Sequence, residues 1–219
     1  MKTIVCYGDS NTWGYIPAAG DEEPEASARF PYDVRWTGGL SRRLGSEYLV
    51  VEEGLNGRTT AFNDMLGKYR NGAKYNGVCL ATCKPLDLLI IMLGSNDTKN
   101  YIRQTAANIS RGVEKLIKSA QTSECGPGGD APKILVVSPA YLRDEVMTSR
   151  MRLEFDKVSI QKSRDLARLL FDVARRCGCY YMNAAVYAEA SAADGLHLDG
   201  KNHKKLAEAI YTKVTEIFG

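Results

Sequence analysis

Five short runs along the chain are apolar at nearly every position, and longer segments between them repeat apolar residues at helical spacing. The runs are Thr3–Tyr7 (TIVCY), Tyr48–Glu52 (YLVVE), Leu86–Leu93 (LDLLIIML), Lys133–Ser138 (KILVVS) and the weaker Cys179–Met182 (CYYM). Strands that are apolar almost throughout are covered on both faces, as in a parallel sheet held between helices. Ile109, Val113, Leu116, Ile117 and Ala120 predict one covering helix. Leu166, Leu169, Leu170, Val173, Ala174 and Cys177 predict another, which Gly178 ends. Leu206, Ala209, Ile210, Val214 and Ile217 predict a last amphipathic helix. Alternation of this kind is the pattern of a doubly wound α/β domain, whose ligands bind beyond the carboxyl ends of the strands.

Three stretches read as loops: Ile16–Asp33, Asn56–Gly77 and Ser123–Pro132. The last contains Gly126-Pro127-Gly128-Gly129 but no Gly-Lys-Ser/Thr ending, and it precedes a strand instead of following one. It is a linker and not a phosphate loop. No internal repeat or low-complexity tract interrupts the pattern, and 219 residues suit a single domain spanning 1–219.

Charge changes the picture by exclusion. Twenty-nine basic residues against 26 acidic ones give a net charge of +3, too balanced and too scattered for a nucleic-acid partner. No apolar run is long enough to span a bilayer. The N-terminal residues read as a core strand and not as a signal peptide. Six cysteines (Cys6, Cys79, Cys83, Cys125, Cys177 and Cys179) could pair, but a chain of this size needs no staples, and Cys6 lies inside the first strand. Free thiols and a cytoplasmic location are expected. With no Cys-x-x-Cys pair and two histidines, a zinc site is poorly supplied, and no metal or cofactor is expected.

The candidate chemistry sits at the strand ends. Gly8-Asp9-Ser10 follows the first strand, and Gly54-Leu55-Asn56-Gly57-Arg58-Thr59-Thr60 the second. Gly94-Ser95-Asn96-Asp97 follows the third, and Asp194-Gly195-Leu196-His197 lies beyond the fifth. A serine hydroxyl is a poor nucleophile near neutral pH and needs a base within hydrogen-bond reach. Only His197 and His203 are available as histidine bases. His203, in Lys201-Asn202-His203-Lys204-Lys205, reads as a solvated surface residue. Asp194, three residues before His197, can fold back onto the imidazole and fix its tautomer. Asp9 reads as a loop-orienting residue, and Asp97 as the cap of a helix starting near Thr98. Arg58 reads as a partner in a loop salt bridge, with an anionic substrate as the alternative.

Taken in order from residue 8 to residue 198, these blocks resemble the GDSL/SGNH hydrolases. GDSNTWGY, VRWTG, EEGLNGRTT, LDLLIIMLGSNDTK and KILVVSP are closest to the small bacterial arylesterase/acyltransferase branch. Asn11 departs from the family pattern, whose name has leucine after the serine. The resemblance implies a three-layer, flavodoxin-like sheet of about five strands. It implies Ser10 as nucleophile, His197 as general base and Asp194 as its partner. It also implies an oxyanion hole made of the Ser10 and Gly57 backbone N–H groups and the Asn96 amide. Asp9, Asn11, Trp13, Leu55, Ser95, Lys99 and Leu196 are the candidate pocket residues, with Tyr15 beside them. The expected activity is hydrolysis of short-chain acyl esters through an acyl-enzyme, with acyl transfer to alcohols as a side reaction. Carbohydrate O-acetylesterase, thioesterase and lysophospholipase activities are alternatives within the family. A non-catalytic, flavodoxin-like binding domain is the alternative outside it. A small-molecule ester is the expected partner, and homo-oligomerisation is compatible with the likeness.

Overall fold

The computed structural model describes residues 1–19 and 28–219. Residues 20–27, including Pro24 of the expected Ile16–Asp33 loop, lie outside the described residues. Five strands, β1 (Lys2–Gly8), β2 (Tyr48–Gly54), β3 (Leu88–Met92), β4 (Lys133–Ser138) and β5 (Tyr180–Asn183), form one sheet in the order β2-β1-β3-β4-β5. Every neighbouring pair is parallel. The helices are α1 (Ser10–Trp13), α2 (Trp36–Leu44), α3 (Gly72–Cys83), α4 (Ala106–Gln121), α5 (Lys157–Arg176) and α6 (Gly200–Phe218).

The alternation of side chains along each strand divides the core in two. Ile4 and Cys6 of β1, with Leu88, Ile90 and Met92 of β3, face α2 and α6. Val5 and Tyr7, with Leu89 and Ile91, face α3, α4 and α5. This produces the three layers expected of a buried parallel sheet. A smaller cluster of Leu142, Val146, Phe155, Ile160 and Leu196 lies under the segment that follows β4.

The strand order reverses direction between β1 and β3, which open adjacent crossovers to opposite sides. A crevice forms at such a switch point, outside the carboxyl ends of the strands. The register lines those ends up: Gly8 pairs with Gly54 on one side and Met92 on the other. The segments leaving β1, β2 and β3 therefore begin side by side.

Two helices differ from the sequence reading. The segment expected as a loop over Asn56–Gly77 is helical from Gly72, with Asn71 capping the N–H of Lys74. Helix α2 carries Gly38 and Gly39 and has low intrinsic propensity. Gly38 lies so close to the Tyr32 carbonyl that a Cβ would come within 1.8 Å of it. Packing decides both helices where composition argues against them. All six cysteines are free. Among the described residues, no helix is long and apolar enough to cross a membrane.

Candidate active site

Ser10 is the first residue of α1, directly beyond β1, and is buried. Asp9 caps the helix by accepting the N–H of Asn11. The base arrives from the other end of the chain. Asp194 Oδ1 accepts the backbone N–H groups of both Leu196 and His197, at 2.9 Å each, and so closes a tight turn. Gly195 makes that turn possible: its φ is +71°, and a Cβ would stand 2.2 Å from the Val146 nitrogen. The second carboxylate oxygen of Asp194 lies 2.6 Å from His197 Nδ1, and His197 Nε2 lies 3.0 Å from Ser10 Oγ.

Protonation follows from those contacts. Burial would raise the Asp194 carboxyl, but the hydrogen bonds and charge of His197 and the backbone donors hold it below the usual range. An ionised carboxylate only accepts, so Nδ1 carries the ring proton and donates it to Asp194. Nε2 is left with a lone pair aimed at the serine hydroxyl. Tyr15 packs on the imidazole face with ring centroids 4.2 Å apart.

Asn11 joins the two halves. Its Oδ1 accepts the Leu198 N–H at 2.8 Å, and its Nδ2 donates to the Leu196 carbonyl at 3.3 Å. The residue after the serine thus holds the backbone on both sides of His197. No spacing rule in the sequence reveals this contact. The only hint is an amide where the motif carries leucine.

The three expected oxyanion donors lie on separate segments, after β1, β2 and β3. Asn96 Nδ2 uses one N–H on the Arg58 carbonyl at 3.2 Å and has a second to offer. Among the described residues, neither the Ser10 nor the Gly57 backbone N–H is given to a protein acceptor. Gly57 has φ +77°, and a Cβ there would meet the Arg70 guanidinium within 2.5 Å. The absent side chain makes room for Arg70 as well as for the turn itself.

The remaining candidates fall into place differently. Asp97 does not cap a helix. Its carboxylate accepts the Thr60 N–H and hydroxyl, tying the segment after β3 to the one after β2. Helix α4 begins only at Ala106, with Thr105 as its cap. Among the described residues, Arg58 forms no salt bridge, and it lines the cavity described below. It is buried, donates to the carbonyls of Gly8 and Glu53, and lies over the Tyr7 and Tyr75 rings. Lys99 is a buried cation held by Asp64 and Glu154, and is not a free pocket wall. Leu196 packs into the small core cluster with Val146 and Phe155. Trp13 is covered by Arg29, whose Cζ lies 5.0 Å from the ring centroid. Ser95 is buried, and its carbonyl accepts the Thr98 N–H and hydroxyl. A cavity of about 710 Å³ opens beside the segment after β2 and is lined by Leu55, Tyr69, Arg70 and Tyr75 among others. Asp9, Asn11, Trp13, Ser95, Lys99 and Leu196 are not in its wall.

His203 corrects the sequence reading most sharply. It is fully buried, accepts the Trp36 N–H at Nδ1, and has the Phe30 ring against its edge. Burial lowers its pKa to about 4. Its lysine neighbours point elsewhere because His203 shares the helix stripe of Leu206 and Ile210, which faces the core.

Two buried carboxyls beneath the site titrate unusually. Burial pushes Asp9 up to about 6, and pushes Asp97 up to about 7 despite the Thr60 donors. Between about pH 4 and pH 7 the folded protein therefore keeps protons that the unfolded chain has released, and stability declines as pH rises through that window. His203 works in the opposite direction, because its folded pKa is depressed. The clean measurement is the urea-unfolding free energy of the native protein minus that of Asp97→Asn. That difference should fall steadily from pH 4 to pH 7; a constant difference would mean that Asp97 is ionised throughout.

The model of the GDSL-like lipase/acylhydrolase family matches residues 6–205. The native aryl esterase of M. smegmatis is 39% identical, with 99% of each chain covered and a TM-score of 0.91. A carbohydrate acetylesterase from Sinorhizobium meliloti is 36% identical over 99% of this chain and 100% of its own, with a TM-score of 0.92. A lipase/acylhydrolase from Enterococcus faecalis, at 19% identity, 99% and 96% coverage and a TM-score of 0.69, shares the fold. No curated protein matches the chain.

Proposed function

The chain belongs to the GDSL-like lipase/acylhydrolase family and is an ester-hydrolysing enzyme, and from that membership we propose that it cleaves short-chain acyl esters through a Ser10 acyl-enzyme. The observation that carries this reading is the continuous run of hydrogen bonds from Asp194 through His197 to Ser10. Ser10 Oγ attacks the ester carbonyl as its proton passes to His197 Nε2. The Ser10 and Gly57 N–H groups and the Asn96 amide receive the negative charge that forms on the carbonyl oxygen. Imidazolium then gives its proton to the departing alcohol. Water, activated by the same nitrogen, releases the acid. An alcohol in place of water makes a new ester.

Rates on p-nitrophenyl acetate, butyrate and octanoate test the acyl-length reading. The specificity constant should fall steeply from acetate to octanoate. Equal or rising values would assign a lipid-like acyl group instead. Added methanol should divert acyl groups to methyl ester if transfer competes with hydrolysis.

A carbohydrate acetylester is a second reading. It is favoured by the named Sinorhizobium neighbour and by the exposed Tyr69 ring and the Asn63 amide around the 710 Å³ cavity. Rings and amides of this kind suit the faces and hydroxyls of a sugar. A higher kcat/KM for acetylated sugars than for p-nitrophenyl acetate would select it.

Two substitutions separate the roles. Asn96→Ala should lower kcat by about 10²–10³-fold while the protein stays folded. An unaltered kcat would remove Asn96 from oxyanion stabilisation. Asn11→Leu, which restores the motif residue, should lower kcat by about 10–10²-fold with little change in KM, because the imidazole loses its fixed distance from Ser10. Asn11→Asp keeps the acceptor for Leu198 N–H and should recover part of the loss. If Asn11→Leu raised KM and spared kcat, Asn11 would belong to substrate binding.

A further inference from the structure

Glu53, Cys79 and Cys83 meet where the end of β2 packs on α3. Glu53 lies on the strand face that carries Val51, the face that α3 covers. Cys79 and Cys83 are four residues apart, so one helical turn brings both thiols to the same side. Their two sulfur atoms and the Glu53 carboxylate oxygen all lie within 4.8 Å of one another. The sequence conceals the group, because the third donor comes from a separate strand, β2.

We propose that Glu53, Cys79 and Cys83 form a binding site for a soft divalent cation of the zinc type. Two thiolates select zinc-like ions over calcium and magnesium, which require oxygen donors. Zinc–sulfur bonds of about 2.3 Å set donors about 3.7 Å apart around a tetrahedral ion, so side-chain rotation closes the remaining distance. The charges balance. Two thiolates and one carboxylate around a dication leave a single negative charge. The Arg58 guanidinium, which donates to the Glu53 carbonyl and lies over the adjacent Tyr75 ring, supplies the matching positive one. Tyr75 and Glu53 stand side by side in the cavity wall and their side chains interact, which puts the hydroxyl where partners behind metal ligands commonly lie. Glu53 and Tyr75 also line the 710 Å³ cavity, which provides an entry path and room for water as a fourth ligand. Binding releases the two thiol protons to solvent, so affinity rises with pH.

The test uses the full-length, fully reduced protein and cadmium as the probe. Equilibrium dialysis should find one cadmium ion per chain, accompanied by a sulfur-to-cadmium charge-transfer band in the near ultraviolet, and zinc should displace it. Cys83→Ser and Glu53→Gln change partly exposed groups and should fold, which circular dichroism and metal-free melting check. Each should weaken cadmium binding at least about tenfold, and Tyr75→Phe by about 10–100-fold. Cys177→Ser, which alters a thiol at the end of α5, should change nothing. Absence of the band, a band that persists in both Cys83→Ser and Glu53→Gln, or a band lost in Cys177→Ser would each overturn the proposal.

Discussion

Replacing Ser10 with alanine should lower kcat on p-nitrophenyl acetate by about 10⁴–10⁶-fold and leave the melting temperature nearly unchanged. The magnitude follows from the way such groups act as a unit: losing the nucleophile alone costs about as much as losing the nucleophile and its base together. The residue left behind still has its backbone N–H, so the oxyanion donors remain and account for a small residual rate. Stability should survive because the hydroxyl's hydrogen bond is to His197, while α1 is held by the Asp9 cap and by backbone bonds from Gly14 and Tyr15 to the Ser10 carbonyl. Retention of more than about one-hundredth of the activity would rule out an acyl-enzyme at Ser10. Direct attack of water with His197 as base would then be the better account.

Asp194→Asn is expected to cost about 10⁴-fold in kcat, with substrate affinity little altered. The geometry makes this substitution unusually selective. One carboxylate oxygen accepts the Leu196 and His197 N–H groups and builds the turn, while the other receives the imidazole proton. An asparagine carbonyl can keep the first duty. Its amide must replace the second oxygen and cannot accept from Nδ1–H. The ring then favours the opposite tautomer, with a proton on Nε2 facing the serine. Folding should persist, since the turn keeps both backbone bonds. A loss below about tenfold would mean that His197 keeps its working tautomer without Asp194.

The sequence disclosed the sheet because apolarity on both faces is a strong constraint. Val5 and Cys6 face opposite helical layers, and both are fully buried. It disclosed α4, α5 and α6 through unbroken apolar stripes. It was silent on α2 and α3, whose Gly38, Gly39, Gly72 and Gly77 lower local propensity and whose stability comes from close packing. At the site, Ser10, Asp194 and His197 stood out as reactive types beyond strand ends, while Gly57 and Asn96, an ordinary turn glycine and loop asparagine by themselves, were singled out only by the family resemblance. Asp97, Lys99 and His203 were misread because burial and partners depend on distant segments: Thr60 for Asp97, Asp64 and Glu154 for Lys99, Trp36 for His203. The bridging contacts of Asn11 were hidden for the same reason, since they lie 185 and 187 positions away.

That separation also bears on how the enzyme comes into being. Ser10, the proposed nucleophile, and His197, its proposed base, stand 187 positions apart in the chain. Closing so long a span is entropically costly and belongs to the slow, non-local part of assembly. Ester cleavage therefore cannot begin on a partly made chain, however complete its sheet. During refolding, the regain of turnover marks the docking of the Asp194–His197 turn onto α1, and it lags any optical signal from the strands and helices alone.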